Sequence, residues 1–119
     1  MALSIDGTRE RYGDRMTKGL RITHFTATLG ATSDYSTTAS AEGIDTQDLK
    51  PLLGMGSVCD VLSCVVRSSA GVTKPLLPVF IPETNRIRLF KGSAGALVEV
   101  VPGTDLAAGD LLQMTIFGG

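Results

Sequence analysis

With 119 residues, 43% of them hydrophobic and 19% charged, the chain fits one domain with one core and is too apolar for a disordered segment. A formal net charge of −1 excludes the global basic field that announces a nucleic-acid partner. Tryptophan is absent and aromatic residues make up only 5%, so the core is expected to be aliphatic. No apolar run approaches the ~18 residues needed to span a bilayer, so no membrane partner is expected. The opening MALSIDGTRERYGDR lacks the apolar segment of a secretory signal, so the chain is expected to stay on the cytoplasmic side.

Residues 1–19 are the most charged part of the chain, with Asp6, Arg9, Glu10, Arg11, Asp14, Arg15 and Lys18 interspersed with Gly7, Gly13 and Gly19. Glycines at that spacing oppose a continuous helix, so an N-terminal arm is predicted, with room for a short strand within residues 2–5 and a turn at Gly13-Asp14. Arg9, Arg11, Tyr12 and Arg15 are candidate partner contacts, since Arg and Tyr are enriched at protein interfaces. The competing reading is a solvated terminus, mobile for want of an anchor. Residues 20–119 are expected to form a single β domain.

From Leu20 onward, Leu20, Ile22, His24 and Thr26 alternate with Arg21, Thr23, Phe25, Ala27 and Leu29, a period of two that predicts a strand. His24 is the only histidine and has no Cys, acid or second His at ligand spacing, so it reads as a polar residue on a strand face. Residues 30–43, GATSDYSTTASAEG, are rich in Ser, Thr, Ala and Gly, with Tyr35 the only large side chain. A connection of that length in a compact domain is expected to be a surface loop that binds something or reaches a neighbour. Asp45-Thr46-Gln47-Asp48 supplies an N-cap and an acid at N3 ahead of Leu49, Leu52 and Leu53, which predicts one short helical turn. Pro51 and Gly54 keep it short. Asp34, Glu42, Asp45 and Asp48 lack the ligand order of an EF-hand around its glycine, which counts against a calcium loop.

The second half reads as strand after strand. Residues 58–67, VCDVLSCVVR, suit a buried strand, with a turn at residues 68–71. Cys59 and Cys64, five apart on a strand, are expected on opposite faces as unpaired, buried thiols. Residues 74–81 contain Pro75 and Pro78, which assigns them to an edge or irregular strand, because proline cannot donate to the ladder. A hairpin turn at Pro82-Glu83-Thr84-Asn85 leads into residues 86–91, where Ile87 and Leu89 alternate with Arg86, Arg88 and Phe90. Strands over residues 97–101 and 111–117 follow, separated by glycine- and proline-rich turns. Six or so short strands with almost no helix predict an all-β fold, an antiparallel β-sandwich or barrel of jelly-roll or other Greek-key type.

Signs of catalysis are few. No Gly-x-Ser-x-Gly elbow occurs, and the single histidine leaves a Ser-His-Asp set without support. Gly54-Met55-Gly56 and Gly92-Ser93-Ala94-Gly95 lack the helix start that a phosphate cradle needs directly behind its glycines, and read as turns. The acids all sit in polar surroundings, unsuited to the raised pKa of a general acid. No enzyme activity, cofactor or metal is therefore expected.

Several strings, in order, resemble a family of small tailed-bacteriophage head proteins described as capsid decoration or cement proteins. They are the opening MALSI, the Gly13-Asp14-Arg15 turn, the strand ending in Phe25, the Ser33-Asp34-Tyr35 loop and Glu42-Gly43-Ile44-Asp45 leading to Leu49. The hairpin strand 87–90, Leu97-Val98-Glu99-Val100 and Gly103-Thr104-Asp105-Leu106 continue the series. The chain departs from the family at Tyr35-Ser36-Thr37-Thr38-Ala39-Ser40, where relatives have a compact Tyr-Pro-x-Gly-Gly-like turn. The resemblance implies a protein made in the host bacterial cytoplasm and carried on the outer surface of the virion capsid. There it would act as a homotrimer that clamps neighbouring copies of the major capsid protein. As a hypothesis within that reading, the arm, with Arg9, Arg11, Tyr12 and Arg15, and the loop of residues 33–43, with Ser33, Asp34 and Tyr35, make those contacts. Two rival readings stand beside it. One is a tail-tube or connector protein, which would form rings. The other is a ligand- or carbohydrate-binding β-sandwich, disfavoured by the scarcity of aromatic platforms for sugars.

Overall fold

The computed structural model describes residues 4–5, 10–12, 21–54 and 56–119, with residues 4–5, 10–12, 21 and 59 given by backbone alone. Strands that alternate apolar and polar residues must each bury one face. Two antiparallel sheets, stacked as a β-sandwich, meet that need here. In the first sheet, β1 (Ser4–Ile5) and β2 (Glu10–Tyr12) lie along one edge of β3 (Arg21–Thr28). The other edge of β3 pairs with β10 (Leu111–Gly118), and β6 (Val58–Arg67) closes the sheet.

In the second sheet the organising strand is β8 (Arg86–Ser93). One edge of it carries β7 (Leu77–Ile81). The other edge is shared by β5 (Gly43–Asp45), to which β4 (Tyr35–Ser36) is paired, and β9 (Ala96–Glu99). The edge position foreseen for the proline-bearing strand is the one β7 occupies. The hairpin turn foreseen at residues 82–85 is also present, with Asn85 in the left-handed region at φ 55°.

Register explains the core. On β3, Phe25 and Ala27 stand opposite Met114 and Leu112 of β10, and those in turn stand opposite Cys64 and Val66 of β6. From the second sheet Tyr35, Ile44, Ile87 and Leu89 meet them, joined by Leu49, Leu53, Val100 and Leu106. Among the described residues Phe25 and Tyr35 are the aromatic members of this cluster, Phe80 packs against it, and the rest is aliphatic but for Met114. The helical turn begins where expected. The Asp45 carboxylate accepts from the Gln47 N–H at 2.9 Å, a 3-10 turn runs over Thr46–Leu49, and α1 (Lys50–Leu53) ends on left-handed Gly54.

Three expectations need correction. Residues 58–67 form a strand with the expected bounds, yet β6 lies at a sheet edge and not in the interior, with Leu62 and Val65 exposed. Its register slips so that Leu62 and Cys59 have no opposite residue on β10. Such bulges bend and twist an edge strand and blunt its pairing with other chains. Strict alternation along β6 is lost with them, so spacing alone does not assign Cys59 and Cys64 to faces. Cys64 is a free thiol whose pKa burial pushes up to about 12, so it stays protonated at neutral pH. The third correction concerns residues 30–43, which are not one long loop. A 3-10 turn (Thr32–Asp34) and β4 occupy their first half, and only residues 37–40 form an exposed tip.

The β4–β5 connection is fixed to β8 through Gly43. Its φ of 109° lies in the region that favours glycine, and a Cβ there would overlap the Ile87 carbonyl. Gly43→Ala is expected to lower stability by about 1–3 kcal/mol. In urea unfolding this should appear as a lower midpoint with an unchanged slope; an unchanged midpoint would refute the constraint.

Candidate interaction face

The two strands that share one edge of β8 do not meet. β5 pairs with Arg86 and Ile87, β9 pairs with residues 90–93, and Leu89 falls in the gap. Its carbonyl accepts from the Val100 N–H at 3.0 Å, but its own N–H, buried in the gap between the two strands, has no strand partner on that edge. That N–H donates to the Tyr35 hydroxyl oxygen at 3.0 Å. The hydroxyl in turn donates to Glu99 Oε2 at 2.5 Å, and Arg88 donates from Nη2 to Oε1 at 2.8 Å and from Nε to Oε2 at 3.3 Å. The Arg88 guanidinium carbon lies 5.2 Å from the centroid of the Phe90 ring.

A chain of bonds thus runs from a buried amide, through a side chain in the core, to the outer face of the second sheet. The Arg88 guanidinium holds Glu99 below the usual carboxylate range, opposed by burial and aided by the Tyr35 hydroxyl. Burial pushes the Tyr35 phenol up, and the bond to Glu99 adds to that.

Register also defines the outer face. Ile87 and Leu89 point inward, so their neighbours Arg86, Arg88, Phe90 and Gly92 face out. Leu77 and Glu99 flank Phe90, and Leu97 stands opposite Gly92. Leu77 is 48% exposed, Leu97 62%, and Val101, two residues beyond Glu99, 52%. The charged residues among them are paired within the chain, Arg88 with Glu99 at 2.8 Å and Arg86 with Asp45 at 3.7 Å. The surface is aliphatic and electrically balanced.

Beside it, a cleft of about 540 Å³ is lined by Lys74, Pro75, Leu76, Lys91, Gly92, Thr104 and Asp105. Its lysines are engaged, Lys74 with nearly buried Asp110 at 2.6 Å and Lys91 with Asp105 at 2.8 Å. Asp105 also accepts from the Val101 N–H at 2.7 Å; Lys91 first, and this bond after it, lower its pKa. Among the described residues no group of three or more His, Cys, Asp or Glu is placed to hold a metal, and no helix is long and apolar enough to cross a membrane.

The residues singled out from sequence fare unequally. Arg9 and Arg15 lie outside the described residues. Arg11 and Tyr12 belong to β2, opposite Thr23 and Ile22, with backbone alone described. Ser33 is exposed. Asp34 accepts from the Gly30 and Ala31 N–H groups at 3.0 and 3.1 Å and so shapes the 3-10 turn. Tyr35, expected to reach a partner, is only 2% exposed and serves its own core. The reason is β4: pairing Tyr35 with Ile44 turns both side chains inward. His24 sits on the outer side of the first sheet, its Nδ1 hydrogen-bonded to Thr115 Oγ1 at 2.7 Å.

Sequence reasoning missed Glu99 and Arg88 as a pair, and the signal for them was weak. Their link depends on the β8–β9 register, which the two-residue turn at Ala94-Gly95 fixes through positive φ at both positions. No family model, curated protein or solved structure matches the chain.

Two tests follow from the chain of bonds. Tyr35→Phe leaves the buried Leu89 N–H unpaired and is expected to cost about 1–3 kcal/mol of stability; a loss below about 0.5 kcal/mol in chemical denaturation would count against the role. Glu99 is held below its ordinary value of about 4.3. Its contribution is therefore complete above that value and is lost as pH falls through the depressed folded value. Stability measured against pH should fall on acidification, and Glu99→Gln should flatten that part of the curve.

Proposed function

We propose that the chain is a structural protein of a tailed-bacteriophage head. In this reading it sits on the outer surface of the capsid as a trimer and clamps neighbouring copies of the major capsid protein. The observation that carries this reading is the outer face of the second sheet, where aliphatic side chains stand exposed and the charges beside them are balanced within the chain. Such a surface is suited to adding contact area between proteins and offers little to hold a small polar ligand. The ordered series of motifs supplies the virion context.

Decoration is consistent with elementary thermodynamics. Contacts that are weak singly gain avidity when three copies are linked. A protein that binds only the expanded shell stabilises that shell by mass action. Residues of the arm, with Ser33 and the exposed tip at residues 37–40, are the proposed coat contacts. Tyr35 supports that tip from inside the domain.

The test is imaging of isolated expanded heads of the presumed virus mixed with the purified protein. Ordered density at local threefold positions is expected, and absent or irregular binding would remove the proposal. Removing residues 1–15 is expected to reduce occupancy at sub-saturating concentration by roughly tenfold or more, since each lost contact is multiplied over linked copies. Undiminished occupancy would exclude the arm from the contact.

A further inference from the structure

The β8–β9 hairpin projects beyond the packed sandwich, and all of residues 92–98 are exposed. Near its end Gly92 and Leu97 stand directly opposite one another on the outer face. Gly92 is unexplained by the chain's own fold. Its φ is not in the left-handed region, and a Cβ built on it meets no atom within 4 Å. A glycine inside a strand weakens that strand, and where no bend or positive φ demands it, it marks close approach by another backbone or ligand. Beside this hole stands a knob: Leu97 is the most exposed large hydrophobic residue of the second sheet. Gly92 also borders the cleft lined in part by Pro75 and Leu76.

We propose that the hairpin is a self-association surface, on which Leu97 of one copy of this chain seats over Gly92 of another. A second copy is favoured over an unrelated protein for two reasons. A knob and a hole on the same patch let identical chains fit one another, because each copy presents both halves of the fit. Any net charge on a patch also repels an identical patch, and here Arg86 and Arg88 are balanced by Asp45 and Glu99. The inference rests on the proposed function only in assuming that copies associate, and it needs no capsid.

It is tested on the full chain alone, by size exclusion with light scattering over a dilution series up to millimolar. The wild type is expected to show an integral multiple, two or more, of the 12.5 kDa chain mass. Gly92→Arg and Leu97→Asp are each expected to run as a single chain, with unchanged circular dichroism and thermal unfolding, since neither position packs within the monomer. Leu62→Asp, an exposed site on the other sheet, is expected to keep the wild-type mass. A monomeric wild type at the highest concentration would overturn the proposal. So would an oligomer that survives either hairpin variant, or one that Leu62→Asp dissociates equally. A monomer that still decorates heads would assign the face to the coat protein, overturning the self-contact while leaving the proposed function standing.

Discussion

The second sheet depends on one hydroxyl group. β8 is flanked on one edge by two strands that leave Leu89 between them, and the N–H of Leu89 is buried. Water has no access there, and an unpaired amide in such a place costs about 1–3 kcal/mol. Tyr35 fills the gap because a phenol both accepts and donates. It accepts a hydrogen bond from the amide and donates one to Glu99, which anchors Arg88 over Phe90. An aliphatic residue at position 35 would fill volume and leave the gap unbonded.

The consequence reaches the surface. Exposed ion pairs contribute about 0–1 kcal/mol each, so Arg88–Glu99 and Arg86–Asp45 matter less for stability than for placement. They fix long side chains that would otherwise project as free charges, and they leave the outer face without a net field. Lys74–Asp110 is different in kind, because Asp110 is nearly buried and also accepts from the Ala107 N–H at 2.9 Å. Removing Lys74 would strand a charge in the interior, where its desolvation is not offset. That pair ties the start of the β7 segment to the connection before β10.

What could be read from the sequence divides along physical lines. Period-two alternation in β3 and β10, the prolines of β7 and the Asp45 cap are local signals, and local signals survive in one dimension. The all-β class and the aliphatic core followed from them. The position of β6 did not, because an apolar run states that a strand can be buried and is silent on whether a neighbour is present. Tyr35 was singled out as the only large side chain in a polar segment, which was informative, but its direction was misjudged. Its inward turn is decided by pairing with Ile44, and its purpose by an amide more than fifty residues further along the chain. Non-local partners of this kind leave no trace in spacing.

The projecting hairpin is where these constraints meet. A two-stranded ribbon with no layer on either side is marginal in isolation, so its order must come from its base. There Asp105 accepts from Lys91 and from the Val101 N–H, one on each arm of the ribbon, while the Arg88–Glu99 pair crosses the ribbon on the opposite face. The base is therefore braced on both faces while the end carrying Gly92 and Leu97 is exposed. A surface held in place before a partner arrives loses less freedom on association than one that must be ordered by it. In the proposed self-contact the Tyr35 hydroxyl, by fixing Glu99, bears on association as well as on folding, and a fault at the buried amide of Leu89 would be felt at the tip of the hairpin.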